Sequence, residues 1–139
     1  MIGLGIGVLL VVLLGVFHHL GLLVVRALNP GADTLPKAAI LVVFISLLVL
    51  HVVEILGFAV AYRLLLDWGA LGTLTAEFSG SWEGLIYFSG VNFATLGYTQ
   101  IQTEGPIRMV NMMQSLGGFM VLTWSATFLY STSERAWKA

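Results

Sequence analysis

Charged residues are scarce in this sequence and cysteine is absent. Only 9% of its 139 residues are charged while 58% are hydrophobic, whereas soluble domains carry about 25% charged residues. The core of a soluble protein could not bury so much apolar surface, so the composition predicts a membrane protein that contacts the lipid bilayer. The lack of cysteine excludes disulfide bonds, cysteine-ligated zinc and a thiolate nucleophile.

An excess of basic charge is also missing. The net charge is −1 at pH 7 and no basic patch is present to hold phosphates, so nucleic acid is not an expected partner. No ladder of arginines indicates a voltage sensor. No nucleophile–base pair and no phosphate-binding loop are visible, so the sequence predicts neither an enzyme nor a cofactor.

Three segments have the length and apolarity of bilayer crossings, which need about 20 apolar residues each. They are Ile2–Val25, Ala38–Leu66 and roughly Pro106–Tyr130. The first is longer than the apolar core of a signal peptide, which has about 7–15 residues, so we expect a retained transmembrane helix. Prolines and a glycine in the link 29–36 oppose helix continuation between the first two crossings.

A shorter apolar segment, residues 85–94, leads into a polar motif. The segment is too short to cross a bilayer, and Ser81 is placed to cap a half-helix that contains it. The motif that follows is Thr95-Leu96-Gly97-Tyr98-Thr99. Glycine permits backbone angles that turn carbonyl oxygens toward a common axis. A half-crossing, this motif and then a full crossing predict a re-entrant pore loop.

The motif resembles the potassium-channel signature, in which four Thr-Val-Gly-Tyr-Gly loops replace the water shell of an ion with carbonyl oxygens. The layout of residues 82–130 is similar to that of small bacterial potassium channels of the two-helix-plus-pore-loop type, here with an extra N-terminal transmembrane helix. This resemblance implies an all-α membrane protein with three transmembrane helices, one re-entrant pore helix and a homotetrameric pore. It also implies passive conduction of potassium, bound mainly by the backbone carbonyls of Thr95, Leu96, Gly97 and Tyr98.

The outer end of the motif departs from that family. The family continues Gly-Tyr-Gly-Asp, whereas this chain has Gly97-Tyr98-Thr99-Gln100. A β-branched residue resists the conformation that the outer glycine adopts, at a cost of about 1–3 kcal/mol per subunit. We therefore expect a remodelled outermost site, or one that uses the Thr99 hydroxyl, with altered selectivity among monovalent cations. Glu104 is the carboxylate expected to replace the missing aspartate.

The predicted organisation has four parts. They are an N-terminal two-helix transmembrane region (1–66), an extracellular loop (67–81), the pore helix, filter and inner helix (82–133) and a short cytoplasmic tail (134–139). Basic residues lie beside the first link and in the tail, which places both in the cytoplasm: Arg26, Lys37, Arg135 and Lys138. We therefore expect a multi-pass protein of the cell (plasma) membrane with its N-terminus outside.

Four ionisable residues lie within predicted crossings, where such residues are candidates for function: His18, His19, His51 and Glu54. Helical spacing puts His51 and Glu54 on one face, so a pair between them is one interpretation. The other is that Glu54 supports the filter from behind by a hydrogen bond to one of three residues: Tyr87, Ser89 or Asn92.

The histidines of the first helix are predicted to lie nearer the cytoplasm than Glu54, and polar contacts between helices are expected for them. A zinc site needs three or four convergent ligands. Adjacent His18 and His19 point about 100° apart on a helix, so only one faces a shared site and the sequence disfavours zinc.

The last crossing contains Gly117-Gly118, where the resembling family places a hinge glycine. Close helix packing through small residues is the alternative for this pair. Leu122, Ala126 and Tyr130 follow Gly118 at spacings of four and are predicted to line a gate in the inner pore. Two other functions stay open, a non-conducting pore-fold subunit with a regulatory or assembly role, and a proton-coupled transporter that uses Glu54 and the histidines.

Overall fold

Four helices form most of the chain in a computed structural model, which describes residues 1–29, 36–75 and 77–138. The elements are α1 (Ile2–Leu28), α2 (Pro36–Trp68), β1 (Thr73–Leu74), α3 (Trp82–Phe93), β2 (Thr103–Glu104) and α4 (Ile107–Lys138). The link predicted over 29–36 lies, apart from its ends, outside the described residues. Helix α4 includes residues 134–138, which we predict from the sequence as a tail.

Two of the described helices are long and apolar enough to cross a membrane, Ile2–Leu28 and Lys37–Trp68. Only 22% and 28% of their apolar windows are buried within the chain, so the rest of the chain leaves most of this apolar surface uncovered. Helix α4 does not meet the same criterion, because polar residues occur along its whole length, from Arg108, Asn111 and Gln114 in its first half to the serines and threonines of its second half. The prediction of a third crossing therefore does not follow from apolarity alone.

Helix α1 packs against α4 and α2, and the short helix α3 contacts both α2 and α4. Glycines lie at close approaches of α1 to its neighbours: Gly7 packs on Met113 of α4, and Gly21 packs on Leu50 of α2. Small residues at helix interfaces are typical of membrane proteins, where close backbone approach replaces the hydrophobic driving force. The larger apolar core surrounds α3 and includes Phe88, which is almost fully buried.

The segment after α2 is folded against the start of α4. Strand β1 pairs antiparallel with β2, with Thr73 opposite Glu104. Gly72 has a φ of 105°, and a side chain there would overlap the carbonyl oxygen of Glu104. Leu71 is fully buried, and its carbonyl accepts a 2.7 Å hydrogen bond from the Ile107 N–H. Within the loop predicted over 67–81 the structure therefore adds a short strand pairing, because Gly72 lets the two backbones meet.

Candidate functional site

Helix α3 is anchored at its N-terminus by side chains. The Ser81 hydroxyl accepts a 3.0 Å hydrogen bond from the Gly84 N–H, which confirms the predicted cap. From α2, the Arg63 guanidinium donates a 2.7 Å hydrogen bond to the Gly80 carbonyl and lies 5.1 Å from the centre of the Trp82 ring. These contacts hold the start of the half-helix against α2.

The C-terminus of α3 closes in a Schellman motif. The Leu96 N–H donates to the Val91 carbonyl, and the Thr95 N–H donates to the Asn92 carbonyl, both at 3.0 Å. The residue that turns the chain is Thr95, with a φ of 57°, and it is the one non-glycine residue with positive φ among those that the structure describes. A β-branched residue in this region is strained, and such strain concentrates at functional sites.

The chain alternates in handedness as it leaves the helix. Gly97 also has a positive φ, 62°, whereas Leu96 between the two does not. Alternation of left- and right-handed residues turns successive carbonyl oxygens to one side of the backbone and successive N–H groups to the other. The positive φ angles of Thr95 and Gly97, on either side of Leu96, fit the start of such an alternation.

The alternation does not continue to Thr99, whose φ is not positive. Its hydroxyl instead accepts a 3.1 Å hydrogen bond from the Ile101 N–H. The Tyr98 carbonyl accepts a 3.1 Å hydrogen bond from the Tyr87 hydroxyl on α3, which draws this oxygen toward the helix. The backbone at Tyr98 and Thr99 therefore differs from the backbone at residues 95–97.

A cleft of about 480 Å³ lies between α3 and this loop. Its walls include Tyr87 and Tyr98, and also the carboxylate residue Glu77. Glu104, which we expected near the mouth, belongs to strand β2 and does not line the cleft. Glu77 could not be identified as a site residue from the sequence, because it is far from the motif along the chain and approaches it only in the folded structure.

A hydrogen-bonded network behind α3 joins three helices. The Tyr62 hydroxyl of α2 donates to Oε1 of Gln114 at 2.8 Å, and Nε2 of Gln114 donates to the Ser89 hydroxyl at 2.9 Å. Ser89 in turn donates to the Ile55 carbonyl at 2.8 Å. Tyr62, Gln114 and Ser89 are all fully buried. We missed Tyr62 and Gln114 in the sequence, although an amide inside a predicted crossing is a usable signal.

Glu54 does not take part in this network. Its carboxylate oxygens lie 2.8 Å from Nδ1 of His18 and 2.8 Å from Nδ1 of His51. The pairing with His51 is confirmed, and the predicted bond to a residue of α3 is wrong. Ser89 is occupied by its other partners, and the Asn92 amide donates back to the Phe88 carbonyl.

His18 lies at the level of Glu54, so the predicted difference in depth is wrong. The side chains of His18 and Glu54 are fully buried, and His18 Nε2 also lies 3.3 Å from the Ser125 hydroxyl of α4. The expected polar contact between helices is confirmed for His18. His19 is exposed and stacks on Trp124 instead, so only one of the adjacent histidines faces the cluster.

The two glycines of α4 both lie at close contacts. A Cβ at Gly117 would lie 2.9 Å from a methyl group of Val11 on α1, and one at Gly118 would overlap the Phe93 carbonyl oxygen at the end of α3. These contacts support the packing interpretation. Of the predicted gate residues, Leu122 packs against the core around α3, whereas Ala126 and Tyr130 are exposed.

We expect Gln114→Leu to destabilise the fold by about 1–3 kcal/mol, because the buried Tyr62 hydroxyl loses its acceptor. Thermal unfolding of the purified protein measures this. Adding Tyr62→Phe should recover much of the loss, since no hydroxyl is then left unpaired. Gln102→Leu is the control, because that side chain is exposed and its loss should cost less than about 0.5 kcal/mol. Equal melting of all variants would contradict a stabilising network.

A family model described as an ion channel matches residues 39–134, which is more than half of the chain. The matched stretch contains α3, the loop after it and most of α2 and α4, but not α1. No match to the chain is found among curated proteins or among solved structures.

Proposed function

Because this chain belongs to the ion channel family, we propose that it is a potassium channel formed by four copies. The observation that carries the proposal is the backbone after α3, where Thr95 and Gly97 have positive φ on either side of Leu96, a pattern that would line up carbonyl oxygens. Such a row in each of four subunits would replace the water shell of a potassium ion. Ions would then cross by passive diffusion and knock-on between adjacent sites.

The exposed side chains of the motif in a single chain support assembly of several copies. The side chains of Leu96 and Tyr98 are 69% and 80% exposed, although both belong to the motif that must be held rigidly. Neighbouring subunits would supply the missing contacts. Helix α4 would be the third crossing, with its polar positions facing the pore or other helices, where irregular or polar surface is tolerated. The N-terminus would then lie outside and the C-terminus in the cytoplasm.

A non-conducting subunit is the second candidate function. It is favoured by the outer end of the loop, where the Tyr87 hydroxyl holds the Tyr98 carbonyl and Thr99 is not left-handed. A filter in this state would lack its outermost site. Such a protein would act through assembly with, or regulation of, another membrane protein.

Ionic current from purified protein in planar bilayers tests these proposals, with potassium on one side and sodium on the other. A reversal potential close to that for potassium is expected. Currents that reverse near zero would keep the channel and remove its selectivity. No current over a range of voltages would favour the non-conducting subunit. The mass of the detergent-solubilised assembly tests the tetramer separately.

A further inference from the structure

The buried cluster formed by His18, His51 and Glu54 has no role in the proposed ion path. One potential ligand atom from each of the three residues lies within 4.8 Å of the others. Ionisable side chains inside a membrane are costly, so a group of three in one place indicates a function. From this geometry we propose that the cluster binds a divalent transition-metal ion of the Zn²⁺ type.

The donor set fits such an ion. Two imidazole nitrogens and a carboxylate are ligands that zinc accepts, with an open fourth position for water. Imidazole also suits copper, iron and nickel, whereas magnesium and calcium prefer all-oxygen sites. The cluster therefore selects a transition metal over the alkaline-earth ions.

The distances need only a small adjustment. Ligands at about 2.0–2.2 Å from zinc lie about 3.3 Å apart in a tetrahedron. The two nitrogen–oxygen separations in the cluster are both 2.8 Å, one to each oxygen of the Glu54 carboxylate, so an ion between the two rings faces both oxygens and each pair has to open by about 0.5 Å around it. The imidazole rings of His18 and His51 are already stacked, with centroids 5.6 Å apart and 14° between their planes. The hydrogen-bond distances place both Nδ1 atoms against the same carboxylate.

The other ring nitrogen of His18 already has a hydrogen-bond partner. When Nδ1 of a neutral imidazole binds a metal, Nε2 carries the proton and donates a hydrogen bond that orients the ring. The Ser125 hydroxyl lies 3.3 Å from this Nε2 and can accept that bond. Of the three candidate ligands only His51 has an exposed side-chain fraction, 14%, so an ion reaches the cluster past this ring.

Metal at this position would join three helices. His18 belongs to α1, whereas His51 and Glu54 belong to α2, and Ser125 ties the site to α4. The His51 ring also lies 5.8 Å from Phe93 at the end of α3. The sequence disfavours zinc because only one of the adjacent His18 and His19 can face a shared site, but the other two ligands, His51 and Glu54, come from α2.

Zinc uptake by the full-length protein tests the proposal without any measurement of current. Protein freed of metal with a chelator is titrated with Zn²⁺, and with Co²⁺ to record visible absorption bands that report tetrahedral geometry. One ion per chain is expected for the wild type and for His19→Ala, the matched control on the adjacent residue. His18→Ala or His51→Ala should weaken binding by at least about a hundredfold, and Ser125→Ala by about tenfold.

Glu54→Gln separates metal binding from folding. An amide can accept from one imidazole and donate to the other, so it keeps both hydrogen bonds while it removes the charged ligand. This variant should retain the wild-type helix content and thermal stability, yet lose the Zn²⁺ site. If the wild type takes up no Zn²⁺, or if His19→Ala weakens binding as much as His51→Ala, the proposal is overturned and the cluster is a hydrogen-bonded tie between helices.

Discussion

Gly118→Ala is expected to destabilise the folded chain by about 3 kcal/mol, near the upper end of the usual cost of overpacking a core. The added Cβ would overlap the carbonyl oxygen of Phe93, and its next nearest neighbours are also backbone atoms of Phe93. A side chain could rotate away from the methyl group, but the end of α3 cannot do so without moving the loop that follows it. The substitution therefore acts on the fold and on residues 95–97 together.

Thermal unfolding and ionic current in bilayers measure the two consequences. Gly15→Ala is the matched control, because a Cβ at that helical glycine has no atom within 4 Å. Alanine should stabilise that position slightly, by about 0.5–1 kcal/mol. If Gly118→Ala melts with Gly15→Ala but changes the current, close packing of α4 on α3 is not required and the hinge becomes the better interpretation of this glycine. If its stability and its current both match those of Gly15→Ala, neither interpretation holds.

Signals that are local in the sequence predicted the half-helix well. A serine cap, an apolar segment of limited length and a polar motif gave a helix after Ser81 that ends near Ala94, and the structure has Trp82–Phe93. Each of these features depends on residues within a few positions of one another. The left-handed conformation of Thr95, in contrast, belongs to a position after the helix end where glycine is the usual residue. The sequence has no signal that predicts this conformation for a threonine.

Contacts between helices could not be predicted, because they depend on how far each helix extends and how it is rotated. Measured from the start of α1 and the end of α2, His18 and Glu54 lie 16 and 14 residues along their helices, or about 24 and 21 Å. They therefore share a level once α2 is known to reach Trp68. The partnership of Gln114 with Tyr62 has the same origin, since only the packed arrangement shows which faces meet.

The outer end of the filter gives the second large effect. If the Tyr98 carbonyl is to bind an ion, its hydrogen bond from the Tyr87 hydroxyl competes with that role. On the proposed function, Tyr87→Phe should release this oxygen, and Thr99→Gly should let the left-handed alternation at residues 95 and 97 continue outward. Selectivity depends on the number and field strength of carbonyls around the ion. We expect the double variant to raise the preference for potassium over sodium by about tenfold, or about 1.4 kcal/mol.

Reversal potentials in mixed potassium and sodium solutions measure this change, and Thr99→Ala is the control at the same position. Alanine removes the hydroxyl that accepts the Ile101 N–H but still resists a positive φ, so it should not gain selectivity. If Thr99→Gly raises the preference for potassium and Thr99→Ala does not, backbone freedom at this position limits selectivity. If Thr99→Ala raises this preference as well, the hydrogen bond between the Thr99 hydroxyl and the Ile101 N–H limits selectivity instead. If neither the double variant nor Thr99→Gly shifts the reversal potential, the Tyr98 carbonyl does not contribute to selectivity. The proposed carbonyl sites at residues 95–97 would then be sufficient to set it.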